Sequence, residues 1–218
     1  MTRTVSAVPW ATGAYDRAVV AGRGPLYLCR PDGRRLLMDV ERWCAAPDAA
    51  DRTVLRRCSG SVLDIGCGPG RMIAALARAA RPALGIDTAP AAVARSRAAG
   101  GTALLRSVFG AVPGEGWWGS ALLLDGNVGI GGDPAALLRR VARLLAPGGL
   151  LIAEAAPEDV DERFPARLAV DDGPPGPAFP WARVGSAALG SRAEAEGWTR
   201  AGSWTVAGRP FLALVNRS

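Results

Sequence analysis

The residues best suited to chemistry lie in a glycine-rich turn within residues 61–71, which read SVLDIGCGPGR. Such turns let the backbone approach a phosphate, a dinucleotide or an adenosine-type cofactor. A P-loop would need a lysine, and the chain contains none. A dinucleotide fingerprint would need a third glycine where Arg71 stands. The remaining spacing is Gly66, Gly68 and Gly70, preceded by Asp64.

Several side chains that enzymes commonly use are missing. The chain has no His, and all 26 basic residues are Arg, so there is no imidazole base and no lysine nucleophile. The cysteines at positions 29, 44, 58 and 67 form no C-x-x-C pair, which disfavours structural zinc. No metal is expected. Catalysis must therefore rest on Asp, Glu, Tyr, Cys, Arg, backbone groups or a cofactor.

From residue 61 onward, apolar strands alternate with amphipathic helices. Strands are predicted at 61–65, 82–87, 102–109, 120–125 and 150–156, and the last residues form a hairpin around Gly208-Arg209. This pattern predicts an α/β fold with a doubly wound, mostly parallel, seven-stranded sheet. Helices are expected on both faces, with a C-terminal antiparallel hairpin and a small N-terminal cap. Ligands of such sheets bind at the carboxyl ends of the strands, where the glycine turn lies.

Two segments lie outside this alternation. Residues 1–57 are predicted to form an N-terminal cap or lid, with a hairpin at Asp32-Gly33, and residues 58–218 form the main domain. Residues 156–185 hold six of the 17 prolines and show no period. We expect them to be an inserted, irregular lid over the substrate.

A further acid supports a nucleoside ligand. Asp87 ends the second predicted strand, 19 residues after Gly68, where a carboxylate can accept hydrogen bonds from both ribose hydroxyls. With VLDIGCGPGR, LGID and RLLAPGGLLIAE in this order, residues 60–155 resemble the class I S-adenosylmethionine-dependent methyltransferases. The resemblance implies a Rossmann-like fold and S-adenosylmethionine as cofactor, with residues 58–218 as the methyltransferase domain.

The resemblance also implies roles for residues of the glycine turn. The backbone of Gly66, Cys67 and Gly68 would contact the methionine part of the cofactor, and Gly70 belongs to the same turn. Asp64 would fix the turn and meet the cofactor's amino group.

Other cofactor contacts follow from the same resemblance. Asp87 would hold the ribose, and Thr88 would lie beside the adenine. Many relatives place an acid near the adenine where this chain has Ser107, so the backbone of Val108 is expected to serve there instead. Tyr15 resembles an N-terminal tyrosine that closes over the cofactor carboxylate.

The segment DGNVGIGGD, residues 125–133, follows the fourth predicted strand. In the family this position faces the methyl group and the substrate. Asp125 and Asn127 are therefore the candidate catalytic residues, and Asp125 is also a candidate cofactor contact. Asp125 is in place to take a proton from a hydroxyl acceptor. The alternative interpretation of this glycine-rich segment is a flexible linker.

The predicted function is methyl transfer to a small organic molecule, a metabolite or natural-product intermediate. Phe164, Phe179 and Trp181 would cover it from one side, and Tyr15 and Trp43 from the other. One alternative is an RNA or DNA methyltransferase, although the [DN]-P-P-[YF] motif of base-methylating relatives is replaced by DGNV and the arginines are scattered. Another alternative is a non-catalytic S-adenosylmethionine-binding protein.

Hydropathy disfavours a membrane partner. No apolar run reaches the roughly 18 residues that a spanning helix needs, and the first residues show no continuous apolar block. We therefore expect a cytoplasmic protein whose partner is a small-molecule methyl acceptor. Its oligomeric state is left open.

Overall fold

The structure, a computed structural model, describes residues 13–171 and 173–217. Its strands are β1 (Leu26–Cys29), β2 (Arg35–Met38), β3 (Val62–Ile65), β4 (Ala83–Asp87), β5 (Ala103–Leu105), β6 (Trp118–Leu123), β7 (Leu145–Glu154), β8 (Asp161–Val170), β9 (Phe179–Val184), β10 (Trp198–Val206) and β11 (Arg209–Asn216). Its helices are α1 (Ala14–Ala21), α2 (Val40–Cys44), α3 (Ala49–Arg57), α4 (Arg71–Arg78), α5 (Pro90–Ala98), α6 (Pro134–Leu144) and α7 (Ser186–Ala195), with a 3₁₀ segment at Asn127–Gly132.

The larger sheet has seven strands in the order β10-β11-β7-β6-β3-β4-β5. The five strands β3 to β7 are all parallel to one another. The C-terminal hairpin β10–β11 is antiparallel and joins the sheet through β7. The predicted fold class is thereby confirmed. Strand order reverses between β3 and β6, which is where ligands of doubly wound sheets bind.

Helices cover both faces of this sheet because its strands are apolar on both sides. On β3, Leu63 and Ile65 pack with the core that includes residues of α6 and α7. The side chain of Val62 lies on the opposite face of β3 and packs with the core that includes residues of α3, α4 and α5. Asp64 alternates with Leu63 and Ile65, so it belongs to the same face of the strand as Val62. The main domain comprises this sheet and helices α3 to α7.

Two helix starts are set by their sequence. Asp48 and Asp51 form a capping box at the start of α3, each side chain accepting from the other's backbone N–H. The side chain of Asp133 accepts from two backbone N–H groups at the start of α6, and Pro134 occupies its first turn. Both devices satisfy N–H groups that otherwise lack partners at a helix start.

A second sheet, the cap sheet, has four strands in the order β2-β1-β8-β9. It joins the predicted hairpin around Asp32-Gly33 to a segment more than 100 residues away, with Leu26 opposite Val170 and Cys29 opposite Arg167. Helices α1 and α2 and the cap sheet together form the cap. No helix in residues 13–171 or 173–217 is long and apolar enough to cross a membrane.

Residues 156–185 differ from our expectation of an irregular connection, since most of them lie in β8 and β9. The prolines are accommodated by position. Pro165 and Pro180 oppose each other across the two strands, and β1 pairs with β8 only at residues 167–170. On the side that faces β1, Pro165 therefore has no paired residue among those described that would need its missing N–H.

The N-terminal boundary also differs from the expected residue 57. Helix α3 packs against the main sheet through Ala50 and Val54, which join the core that contains Val62 and Ile73. The N-terminal part of the cap thus ends with α2, at Cys44.

Candidate active site

A cavity of about 260 Å³ lies between the cap and the carboxyl ends of the central strands. The main domain contributes the polar groups of its wall, including Arg71, Asp87, Thr88, Ser107, Asp125 and Asn127. The cap contributes a mainly apolar wall that includes Leu26, Leu28, Trp43, Leu168, Phe179 and Trp181. Among the expected contacts, Tyr15, Gly66, Cys67, Gly68 and Val108 also line it. The cavity thus has one polar side and one apolar side.

The glycine turn is held in a left-handed conformation against β4. Gly66 and Gly68 have φ angles of +70° and +55°. The backbone N–H groups of Gly66 and Cys67 both donate to the carbonyl of Ile86, at 2.8 and 3.1 Å. A Cβ at Gly66 would lie 2.6 Å from Nδ2 of Asn127, so only glycine fits there.

Asn127 braces this turn. Its Nδ2 donates to the carbonyls of Ile65 and Gly66, both at 2.9 Å. The segment after β6 is therefore tied to the turn after β3, and the interpretation of residues 125–133 as a flexible linker is not supported by this geometry. The contacts give Asn127 a positioning role.

Gly70 occupies a different environment from the other two glycines. It has a φ of +92°, and a Cβ there would lie 2.2 Å from Oγ of Ser96 on α5. It is not among the residues that line the cavity. The need for glycine at this position arises from packing of α4 against α5, and the geometry does not favour the expected cofactor contact.

Asp87 lies at the carboxyl end of β4, in the cavity wall. Its Oδ2 accepts from the N–H of Gly68 at 2.9 Å, and its Oδ1 accepts from the N–H of Ala89 at 2.8 Å. Burial raises the pKa of this carboxyl above its ordinary value, and the backbone donors partly offset that effect. Because a carboxylate has about four acceptor positions, Asp87 can still accept from a ligand.

The expected adenine contacts adjoin Asp87. Thr88, Ser107 and Val108 all line the cavity. The Oγ of Ser107 accepts a 3.2 Å hydrogen bond from the N–H of Phe109. Among the described residues, the carboxylates that line the cavity are Asp87 and Asp125, and neither stands at position 107. The backbone of Val108 therefore remains the proposed contact.

Asp64 lies beneath the turn and is not part of the cavity wall. Only 3% of it is exposed. Burial raises its pKa to about 7, although the nearby Arg71 acts in the opposite direction. The expected contact of Asp64 with the cofactor's amino group stays a prediction, because its carboxyl lies outside the cavity wall.

Asp125 is the centre of a buried ionic cluster. Its carboxylate lies 2.8 Å from Nη1 of Arg42, 2.7 Å from Nη1 of Arg71 and 3.5 Å from Nη2 of Arg209. Arg71 and Arg209 also pair with Asp51, which is fully buried. The other members are Asp48 and Glu154, both bound to Arg209.

This cluster determines what Asp125 can do. Burial alone would raise its pKa, but Arg71, Arg42 and Arg209 lower it. Its φ of +57° is left-handed and unusual for a residue other than glycine. A carboxylate stabilised in its charged form is a weak proton acceptor, so the geometry disfavours the expected role as a general base.

Two aromatic residues of the cap lie over the turn. A Cβ built on Gly68 would lie 3.4 Å from the hydroxyl of Tyr15, and the rings of Tyr15 and Trp43 are 6.1 Å apart. Burial, with Asp87 as the next cause, raises the pKa of Tyr15 well above its ordinary value. Nε1 of Trp43 is buried without a hydrogen-bond partner among the described residues.

Sequence reasoning missed the arginines of this site. In the sequence, Arg71 stands out only as the residue that breaks a dinucleotide fingerprint, and Arg42 and Arg209 lie in segments that carry no motif. The one available signal was the Asp48 and Asp51 capping pattern. It predicts a helix start and not the ion pairs that both acids make with Arg209.

A second cavity, of about 210 Å³, lies beside the first. It is formed partly by residues just after β6 and β7, including Gly126 and Ala155. Met38, Trp43 and Asp125 line both cavities. Among the described residues, no group of three or more His, Cys, Asp or Glu side chains is arranged to hold a metal ion.

A family model described as a methyltransferase domain matches residues 62–149. This match covers β3 to the first part of β7, including the glycine turn, Asp87 and Asp125. Together with the sheet order, it identifies this part of the chain as a methyltransferase domain.

Residues 62–149 are a methyltransferase domain, and the fold is that of the class I S-adenosylmethionine-dependent methyltransferases.

Solved structures of methyltransferases share the fold of this chain at low sequence identity. A methyltransferase from Bacteroides fragilis, in complex with S-adenosylhomocysteine, has a TM-score of 0.75 and 19% identity and covers 92% of each chain. A 1,6-didemethyltoxoflavin N1-methyltransferase from Burkholderia thailandensis has a TM-score of 0.59 and 16% identity over 78% of each chain. A sugar N-methyltransferase from Streptoalloteichus has a TM-score of 0.55 and 19% identity, covering 77% of this chain and 85% of its own. No curated protein with which the sequence was compared matches it.

Proposed function

We propose that this methyltransferase transfers a methyl group from S-adenosylmethionine to a small, largely apolar organic acceptor held beneath the cap. The observation that carries the proposal is the two-sided cavity. The glycine turn and Asp87 form its polar side, and cap residues such as Leu28 and Trp181 form its apolar side. Ligand sites commonly combine apolar walls with a few polar groups of this kind.

The residues present fit the cofactor. Gly66 and Gly68 leave the backbone of the turn open to a close approach, and Asp87 keeps acceptor positions for ribose hydroxyls. Thr88 and Val108 would lie beside the adenine, and Tyr15 would lie near the methionine carboxylate. When bound, S-adenosylmethionine supplies an electrophilic methyl group on a sulfonium that leaves as a neutral thioether.

The protein's contribution is mainly alignment and exclusion of water. Alignment of two reactants can lower a barrier by about 7–11 kcal/mol in favourable cases. The buried side chains of the cap sheet, such as Leu26 and Phe179, exclude water from the cavity. Asn127 holds the turn through two carbonyls, and Asp125 orders three arginines around itself. We assign both residues to positioning.

Several features support a small acceptor. The apolar side of the cavity favours an acceptor with an apolar body. Two of the structural relatives act on 1,6-didemethyltoxoflavin and on a sugar. We place the substrate of this enzyme in the same broad group, metabolites or natural-product intermediates. The free cysteines are in keeping with a cytoplasmic location.

The first test is methyl transfer with tritium-labelled S-adenosylmethionine. The acceptor panel contains small aromatic amines, phenols and amino sugars, with short RNA and DNA duplexes as the alternative class. We expect label in at least one small molecule and none in nucleic acid. Label only in nucleic acid, with binding that falls steeply with salt, would refute the proposal. Tight binding of S-adenosylhomocysteine without any transfer would favour the non-catalytic alternative.

A further inference from the structure

The pair formed by Arg42 and Asp125 joins the cap to the main domain. Arg42 belongs to α2 in the cap, and its Nη1 lies 2.8 Å from Oδ1 of Asp125. The two side chains are only 23% and 15% exposed. Another ion pair between the cap and the main domain, Arg163 with Asp133, has side chains 46% and 44% exposed. Arg42 therefore makes the more buried charged contact.

Both partners are held in place from their own side. Asp39 caps α2 and accepts from the backbone N–H and from Nε of Arg42, both at 3.1 Å. On the other side, Asp125 is bound by Arg71 at 2.7 Å, and its N–H donates to Glu154 at 3.0 Å. Each partner is thus oriented before the two meet.

The short distance between Arg42 and Asp125 does not correspond to a well-aligned hydrogen bond. Nη1 of Arg42 is buried and has no aligned hydrogen-bond acceptor among the residues that the structure describes, so charge attraction holds the pair. The next residue, Trp43, lines the cavity with Tyr15, whose hydroxyl lies beside Gly68. A displacement of Arg42 therefore displaces the two rings that cover the turn.

We propose that Arg42 is a positioning residue that holds α2 on Asp125, so that Trp43 and Tyr15 close over the glycine turn. The inference rests on the proposed function, in which S-adenosylmethionine is the ligand beneath those rings. Loss of the pair opens this part of the cap and weakens ligand retention, while the main domain stays folded through its own core.

The test compares Arg42→Gln with Arg30→Gln, using S-adenosylhomocysteine as the probe. Arg30 is a matched control because its ion pair with Glu162, at 2.5 Å, joins two residues of the cap. Calorimetry measures the affinity, and hydrogen exchange of the ligand-free protein measures the opening of residues 14–21 and 40–44. We expect Arg42→Gln to lower affinity about fivefold or more and to speed exchange in both helices. Arg30→Gln should change affinity less than about twofold.

Two further variants separate positioning from a general loss of stability. Arg42→Lys keeps the charge and should recover part of the affinity. In an Asp125→Asn background, Arg42→Gln should have a much smaller effect than in the native protein, because the partner charge is gone. Three results would overturn the proposal. They are unchanged exchange in ligand-free Arg42→Gln, equal effects of Arg42→Gln and Arg30→Gln on affinity, and additive effects of Arg42→Gln and Asp125→Asn.

Failure of the proposed function gives a different result. If the native protein does not bind S-adenosylhomocysteine, the cofactor assignment fails. Exchange in the ligand-free variants still decides whether Arg42 holds the cap.

Discussion

The backbone N–H of Gly68 donates a 2.9 Å hydrogen bond to Oδ2 of Asp87. This bond joins the turn after β3 to the end of β4, so the two elements that would bind opposite parts of the cofactor are positioned by each other. A change in one is therefore transmitted to the other. The same turn is braced by Asn127 and packed through Gly70, and the three supports are separable by mutation.

Gly70→Ala should destabilise the protein by about 2–4 kcal/mol, because the new Cβ combines a left-handed backbone with a severe overlap. The overlap is with Oγ and Cβ of Ser96, at 2.2 and 2.5 Å. Chemical denaturation measures the loss. The double variant Gly70→Ala, Ser96→Gly should regain part of it, since only the backbone strain and the overlap with Cα of residue 96, at 2.7 Å, remain. No recovery would show that Ser96 is not the limiting contact.

Asn127→Ala removes the donor to two backbone carbonyls of the turn. We expect a loss of about 1–3 kcal/mol in unfolding free energy, because buried carbonyls lose their partner. Affinity for S-adenosylhomocysteine should also fall, since the turn loses its brace. The control is Asn216→Ala, whose side chain donates to Ala142 away from the cavity. A comparable stability loss without an affinity change is expected there, and equal affinity losses would remove Asn127 from the site.

The sequence predicted the parts of the site that depend on short segments. The glycine turn, Asp87 and the parallel sheet follow from local spacing and from hydrophobic pattern. The cap sheet does not, because Leu26 and Val170 become neighbours across more than 100 residues and the prolines of β8 and β9 suggest irregular structure. The arginine cluster could not be predicted from the sequence either, since Arg42, Arg71 and Arg209 share no motif.

Stability should depend on the protonation of Asp64. Its pKa in the folded protein is about 7, against an ordinary value of 3.8. The stabilisation from proton binding is thus complete below pH 3.8 and is lost as the pH rises towards 7. Asp64→Asn lacks this titration. As the pH rises between these values, thermal unfolding should show that the unfolding free energy of the variant increases relative to that of the native protein, by about 2–4 kcal/mol in total.

The difference between the two proteins should stay constant above pH 7, where the folded carboxyl has titrated. A difference that does not change between pH 4 and pH 8 would show that Asp64 is ionised throughout.

Trp43→Phe should raise the KM for the methyl acceptor identified in the labelling panel, because the smaller ring removes part of the apolar wall of the cavity. Stability should change little, since Nε1 of Trp43 has no partner among the described residues. Trp198→Phe is the matched control, because its Nε1 is also buried without such a partner and it lies outside the cavity. An equal KM in both variants would exclude Trp43 as an acceptor contact.

The central claim is that the glycine turn and Asp87 bind S-adenosylmethionine. Calorimetric titration with S-adenosylhomocysteine of the native protein and of Asp87→Ala tests it most directly. We expect one ligand per chain for the native protein and an affinity about 30- to 150-fold lower for the variant, since charge-assisted bonds to the ribose are lost. Equal affinities in a variant with unchanged thermal unfolding, or no binding by the native protein, would contradict the claim.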